Sequence, residues 1–233
     1  MKASSWLAAL GLLASLAACN NGQGPSGGAG SGAPQGGSAS TIVRMDGRGG
    51  SIEMLAGPAR YSVTKVDIAV PRSLVVSEAN LFYPKADIVW RADPSGDRYV
   101  QVQSVLQDGF AEGVKTMKTG PSTSLEITLE RFHSLTEKAR FSVGGVHNVV
   151  FSLIVRDLAT GQIVEGPRRI EVAIRASGSD MAIAEDAAGN TQRVVIVAGI
   201  AEAIRRELAL VPVGIAQKGK GLFAGLSLNG GTR

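Results

Sequence analysis

The sequence predicts an α+β domain in which two helices pack on one face of a mixed or antiparallel sheet. Three observations predict it. Residues alternate apolar and polar with period two near positions 65–70, 125–132 and 162–175. Two stretches, 93–118 and 191–210, instead repeat apolar residues at spacings of three and four. The strands also come in groups, two before the first helix and at least three between the helices.

In the first strand Val66, Ile68 and Val70 face one way and Lys65, Asp67 and Ala69 the other, until Pro71 ends the run. A second extended piece, residues 87–92, leads into Asp93-Pro94-Ser95. Asp93 or Ser95 can accept the free N–H groups of a helix start there, and Pro94 is tolerated in a first turn. The apolar stripe of that helix is Tyr99, Val102, Leu106, Phe110, Val114 and Met117, with Arg98, Gln101, Ser104, Asp108, Glu112 and Lys115 opposite. Gly109 and Gly113 lie beside the stripe, where they would permit close approach to the sheet although each costs up to about 1 kcal/mol of helix propensity.

Leu125, Ile127 and Leu129 alternate with Glu126, Thr128 and Glu130, the pattern of a strand with one wet face. Residues 149–155 are apolar at nearly every position and read as a central strand. Asp157-Leu158-Ala159-Thr160-Gly161 makes a hairpin loop, with Gly161 free to take positive φ. The returning strand, residues 162–175, puts Ile170, Val172 and Ile174 inward and Arg169, Glu171 and Arg175 outward. Gly166-Pro167 interrupts it, so a bulge or an edge position is expected. The second helix takes Val194, Val197, Ala201, Ile204 and Leu208 as its buried line; Val194 to Val197 would also suit a strand, and Glu202, Arg205, Arg206 and Glu207 decide for a helix.

Outside this region the composition changes. Lys2 precedes the apolar residues 6–18, and Ala17-Ala18 stand before Cys19, the only cysteine of 233 residues. A bilayer span needs about 20 apolar residues, so this run is a leader rather than a span. Leu16-Ala17-Ala18-Cys19 resembles the lipobox of bacterial lipoproteins, which implies cleavage before Cys19, its diacylation (palmitate-type chains) and attachment to a membrane. An ordinary signal peptidase site after Ala18 is the alternative. By the same resemblance Asn20, where Asp would signal retention in the inner membrane, implies the outer membrane, facing the periplasm, with the outer leaflet of the inner membrane as the other option. A lone cysteine leaves no intramolecular disulfide to form.

From residue 20 to 40 Gly, Ser, Ala, Pro and Gln dominate without charge, the composition of a tether. The organisation expected is a signal peptide at 1–18, lipidated Cys19 with its tether at 19–58, a globular α+β domain at 59–211 and a loose tail at 212–233. Within the tether, the apolar island at Ile42-Val43 could pair with the domain's own edge; linker is the reading taken. The formal charge of +4, from 24 basic and 20 acidic residues, is mild, and no basic stripe interleaved with aromatics indicates nucleic acid.

The lipobox, the polar tether and the order of strands and helices together resemble small envelope lipoproteins with an anticodon-binding-like sandwich fold. These include auxiliary lipoproteins of ABC-type lipid transport, activators of cell-wall synthases and curli-secretion-type lipoproteins. The residues carrying the resemblance are 99–117, 125–132, the 157–161 hairpin and 194–208. The chain as a whole is similar to an uncharacterised family of proteobacterial lipoproteins, which implies no activity.

Candidate chemical residues are few. His133 and His147 sit at strand ends without Cys or paired carboxylates, so no metal site is expected. Asp180, Glu185 and Asp186 fall in a Gly, Ser and Ala-rich stretch and read as a solvated loop rather than a cation site. No serine stands in a nucleophile motif, and no cofactor motif is present. Arg168, Arg169 and Arg175 along one strand could meet headgroups or an acidic partner, although such a row is more simply a wet face. Trp90 and Tyr99, with Phe82 and Tyr83 nearby, could offer an aromatic partner surface; core packing is the plainer alternative. The expectation is a non-enzymatic lipoprotein that docks onto envelope proteins in transport or cell-wall assembly, with a lipid or small-ligand carrier second and an enzyme third.

Overall fold

The computed structural model describes residues 40–46 and 59–209. The expected leader, Cys19, most of the expected tether and the expected 212–233 tail lie outside the described residues. In chain order the elements are β1 (Ser40–Asp46), β2 (Ser62–Ala69), β3 (Ile88–Val89), α1 (Arg98–Val114), β4 (Ser122–His133), α2 (Glu137–Arg140), β5 (Gly145–Asp157), β6 (Ile163–Ala176), α3 (Ser179–Ala187) and α4 (Gln192–Glu207). The strands form one mixed sheet ordered β1-β6-β5-β4-β2, with β3 on the same edge of β4 beyond β2. The β4–β5 and β5–β6 pairs are antiparallel, while β1–β6, β2–β4 and β3–β4 are parallel.

Alternation determines what the sheet buries. Leu125, Ile127 and Leu129 of β4, Val149, Phe151, Leu153 and Val155 of β5, and Ile170, Val172 and Ile174 of β6 face the helices and are buried. The facing residues of α1 are Val102, Val105, Leu106 and Phe110, with Phe110 edge-on to Phe151 at 5.2 Å between ring centroids. On the other sheet face charges pair laterally, Glu126 with Arg156 at 2.6 Å and Glu130 with Arg169 at 3.0 Å. The Gly166-Pro167 interruption coincides with a slip of register between Leu153 and Val155, the expected bulge.

Five expectations are corrected. The segment Ser40–Asp46, assigned to the 19–58 tether, is strand β1, and Val43 is buried opposite Val172. The start of α1 is Arg98 rather than the Asp93 turn: Asp97 caps it by accepting Tyr99 and Val100 N–H at 3.0 and 3.3 Å. Asp93 instead accepts Trp90 Nε1–H at 2.7 Å. Gly109 and Gly113 make room for α4 rather than the sheet, since a Cβ at Gly109 would lie 2.8 Å from Ile200 Cβ and one at Gly113 3.0 Å from Ala201 O.

In α4 and at its C-cap Ala201, Ile204 and Leu208 are buried as expected, but in the first half the buried residues are Ile196 and Ile200, while Val194 is exposed and Val197 only half-buried. Four consecutive apolar residues fit any helical phase; the phase adopted turns Gly199 onto Ile174, where a Cβ would come within 2.2 Å of Ile174 Cδ1. Finally, residues 179–187, read as a solvated loop, form helix α3, which buries Ala182 alone.

Candidate functional site

The connection between β2 and β3, residues 70–87, is long for a compact domain, and such loops are usually either functional or disordered. Here the backbone is held along its length. At the base, Val75 O accepts the N–H groups of Asp87 and Ile88 at 2.8 and 2.9 Å, and Asp87 Oδ2 accepts Val75 N–H at 2.8 Å. Tyr99 OH, rising from α1, donates to Leu74 O at 2.6 Å.

Midway along the loop Glu78 takes a forked pair of bonds from Arg98, Nε to Oε1 at 2.7 Å and Nη2 to Oε2 at 3.0 Å. Arg98, expected on the wet face of its helix, is instead 6% exposed, because it also donates to Asp93 O, Pro94 O and Gln101 Oε1. The bonds from Arg98 hold the Glu78 carboxyl below its ordinary pKa. Arg91 donates to Glu78 O and bridges to Glu137 of α2 at 2.6 Å. At the far end Thr136 Oγ1 donates to Leu81 O at 2.7 Å, Asn80 Oδ1 accepts Lys138 N–H at 2.8 Å, and Pro84 is buried.

On this fixed frame Leu81, Phe82 and Tyr83 stand 53, 52 and 67% exposed. The Lys138 ammonium lies 4.7 Å from the Phe82 ring centroid. The Tyr83 ring tilts over His133 at 5.5 Å, and Arg131 donates to the Tyr83 hydroxyl. His133 is neutral: burial pushes its pKa down, Nε2–H donates to Ala86 O at 2.6 Å, and Nδ1 accepts from Arg131 at 3.3 Å. Glu78 and Glu137 are taken up by Arg91 and Arg98, so Lys138 and Arg131, which touch Phe82 and Tyr83, have no carboxylate partner among the described residues, nor has the exposed Lys85 that follows Pro84. The surface is thus three large apolar side chains ringed by cations.

The aromatic cluster expected from sequence is therefore divided. Phe82 and Tyr83 are on the surface, whereas Trp90 is fully buried, edge-on to Phe132 at 5.6 Å; it takes the plainer core-packing role and is removed from the possible partner surface. Tyr99 is half-buried and secures the loop. The three arginines of β6 do not converge. Arg168 reaches Glu207 of α4 at 2.8 Å and Glu165 at 3.2 Å, Arg169 pairs with Glu130 and Glu171 on the uncovered sheet face, and Arg175 lies exposed beside Arg44, Met45, Val146 and Ala173 around a shallow cleft of about 300 Å³. What sequence reasoning missed was Leu81 and the cationic rim, because Lys138 and Arg131 come from α2 and β4, 50 or so residues downstream.

Elsewhere, His147 of β5 is fully buried, neither ring nitrogen has a hydrogen-bond partner, and burial pushes its pKa down to about 3. Beside it buried Arg140 holds α3 through Asp186 at 2.8 Å and Glu185 at 3.7 Å. Among the described residues no group of His, Cys, Asp and Glu is arranged to hold a metal, and no helix is long and apolar enough to cross a membrane. A second cleft, about 360 Å³ between β2 and α1, has Val63, Val66, Ile68 and Val114 on its floor and Lys65, Lys115 and Lys118 at its mouth.

Fold and surface together define a two-layer α+β domain with one helix-covered and one charged sheet face and an apolar loop fixed at one end. The chain belongs to DUF6778, a family of unknown function, whose model matches residues 61–222. No curated protein matches it. Among solved structures it is similar to a DUF330-family protein from Xanthomonas campestris, with 12% identity, a TM-score of 0.42, and 73% of this chain and 91% of that one covered. It is also similar to a candidate lipoprotein from Caulobacter crescentus, with 19% identity, a TM-score of 0.28, and 45% and 78% covered. At these scores nothing of either protein's function transfers.

Proposed function

We propose that this chain is a lipoprotein of the bacterial cell envelope, anchored through acylated Cys19 in the outer membrane and facing the periplasm. Its domain works there by docking onto other envelope components, as an accessory in transport or cell-wall assembly, rather than by catalysis. The observation that carries the docking role is the loop of residues 70–87. Its backbone is tied to α1, α2 and β3 while Leu81, Phe82 and Tyr83 are left in water. Fixing apolar anchors in advance removes the ordering entropy that would otherwise oppose binding. A carrier needs an enclosed apolar chamber; between sheet and helices the described interior is instead filled by Phe110, Phe151, Leu106, Ile200 and their neighbours.

The test of the anchor is a Cys19→Ser chain expressed in a bacterium with radiolabelled palmitate. Incorporation should vanish and uncleaved precursor accumulate; label retained on the variant refutes the lipobox reading. Photo-crosslinking from exposed positions of the folded domain in intact cells tests docking, which fails if every position yields uncrosslinked monomer only.

A further inference from the structure

We infer that the docking loop meets the bilayer itself: Leu81, Phe82 and Tyr83 enter the interfacial region of an anionic membrane while Lys85, Lys138 and Arg131 engage lipid phosphates. The inference deepens the docking role and rests on the anchor at Cys19.

Three features select lipid over protein. The first is size. A stable protein interface buries about 800 Å² on each partner, far more than three side chains provide, whereas shallow insertion of a few apolar groups suffices for a domain already held to the membrane. Only 20 residues lie between Cys19 and Ser40, and at full extension the two are at most about 75 Å apart. The bilayer is therefore always within reach of an anchored domain, at an effective concentration that makes a weak patch sufficient.

The second is chemistry. Aromatic rings with a polar edge and long cationic side chains are what the headgroup layer accommodates, with the ammonium reaching outward over the apolar stem. Lys138 stacked on Phe82 and Arg131 on the Tyr83 hydroxyl have that arrangement in advance. The third is charge. The carboxylates of this end of the molecule, Glu78 and Glu137, are turned back onto Arg91 and Arg98, and Asp87 onto Val75 N–H. The cations left unpaired are attracted to an anionic surface. Docked in this way, the domain would leave its hairpin end, residues 157–163, farthest from the membrane, because β4 and β5 run the length of the sheet between the two ends.

The test uses the lipidated mature protein, whose Cys19 thiol is acylated, carrying Phe82→Cys labelled with nitrobenzoxadiazole. It is reconstituted into vesicles of phosphatidylethanolamine and phosphatidylglycerol. Lipids brominated on the acyl chain should quench this label at least two-fold and its emission should shift to the blue, while a label at Val164→Cys, at the hairpin end, stays aqueous. Leu81→Cys should behave like Phe82→Cys, which guards against a local misfolding of one variant. Lys85→Glu with Lys138→Glu should reduce the quenching by at least half.

A Phe82 label that remains aqueous on protein that still floats with the vesicles overturns the inference and leaves the anchor intact; a crosslink from that position to an envelope protein would then identify a protein as the occupant. Equal quenching at Phe82 and Val164 also overturns it. Protein that fails to float overturns the anchor, and the inference with it.

Discussion

Replacing Glu78 by Ala is expected to destabilise the domain more than replacing Arg98 by Met, although Arg98 is the buried partner and Glu78 the exposed one. Their side chains are 6% and 54% exposed respectively. Arg98→Met leaves an apolar stem of similar length in the core, and the acceptors it abandons, the Glu78 carboxylate, Asp93 O, Pro94 O and Gln101 Oε1, belong to exposed or half-buried residues that can turn to water, so the loss should be about 1 kcal/mol, near the usual value of a half-exposed pair. Glu78→Ala leaves a guanidinium in the interior without its counter-charge, a change that costs about 3–5 kcal/mol when burial is complete. Asp93 O, Pro94 O and Gln101 Oε1 still accept from Nη1, and water enters where the carboxylate was. We therefore expect about 2 kcal/mol, which for a domain of this size lowers Tm by about 4–8 °C, against about 2–4 °C for Arg98→Met.

Thermal and urea unfolding at pH 7, followed by circular dichroism, reads both values. The acid dependence supplies a second check. Because the folded-state pKa of Glu78 lies below its ordinary 4.5, the pair's stabilisation is complete above that ordinary value and fades as the pH falls through the lower, folded one. The gap between wild type and Glu78→Ala should therefore close in acid. An Arg98→Met variant less stable than Glu78→Ala at pH 7, or a gap that stays open in acid, refutes the reasoning.

Gly199→Ala should cost about 1–3 kcal/mol through overpacking against Ile174; adding Ile174→Val, which removes the Cδ1 atom in conflict, should recover part of it in a double-mutant cycle, and additive losses would disprove the contact. Gly109→Ala meets Ile200 at Cβ, Cγ2 and Cδ1, 2.8, 2.9 and 3.3 Å away, so Ile200→Ala, which keeps only the Cβ, should rescue in part, and complete recovery by that pair would show that α1 and α4 are not in backbone-close contact. For His147 the native pKa of about 3 lies below the unfolded value of 6.5, so the unfolded chain takes up the proton first. Stability should then fall between pH 6.5 and 3, at up to about 1.4 kcal/mol per pH unit from this residue. His147→Leu should flatten that slope, as measured by urea unfolding over pH 4.5–6.5, and an unchanged slope would mean that His147 is hydrated.

The parts of the fold legible in the sequence were those whose apolar pattern admits one phase. Leu125, Ile127 and Leu129 alternate with Glu126, Thr128 and Glu130 and can form only one kind of strand; Val102, Leu106 and Phe110 likewise define one helix face. Where the pattern is degenerate, the tertiary partner decided. The run from Val194 to Val197 took its phase from Gly199 against Ile174. Strand β1 exists because β6 offers Val43 a place beside Val172; Ile42-Val43 admitted edge pairing, but the Gly-rich composition on either side favoured a linker.

Helix α3 was hidden because it buries only Ala182 and depends on Arg140, 42 residues upstream of that alanine, for its attachment. The docking surface was half legible. Phe82 and Tyr83 stood out as aromatics, but whether a ring points inward or outward depends on what lies beneath it, and Trp90, the most conspicuous of them, found Phe132 and Asp93.

The position of β1 has a mechanical consequence. It runs parallel to β6 over seven residues, from Ser40 beside Arg169 to Asp46 beside Arg175, and its N-terminal end is the one that leads back toward Cys19. That end points toward the 157–163 hairpin, so a pull on Ser40 outward along the strand axis loads the rungs together in shear, whereas a pull directed back toward the end that carries Leu81 to Tyr83 opens them one after another from Ser40. If they yield, the chain from 40 to 58 is paid out as up to about 65 Å of extra leash, while β2 to β6 and the helices keep their own pairing.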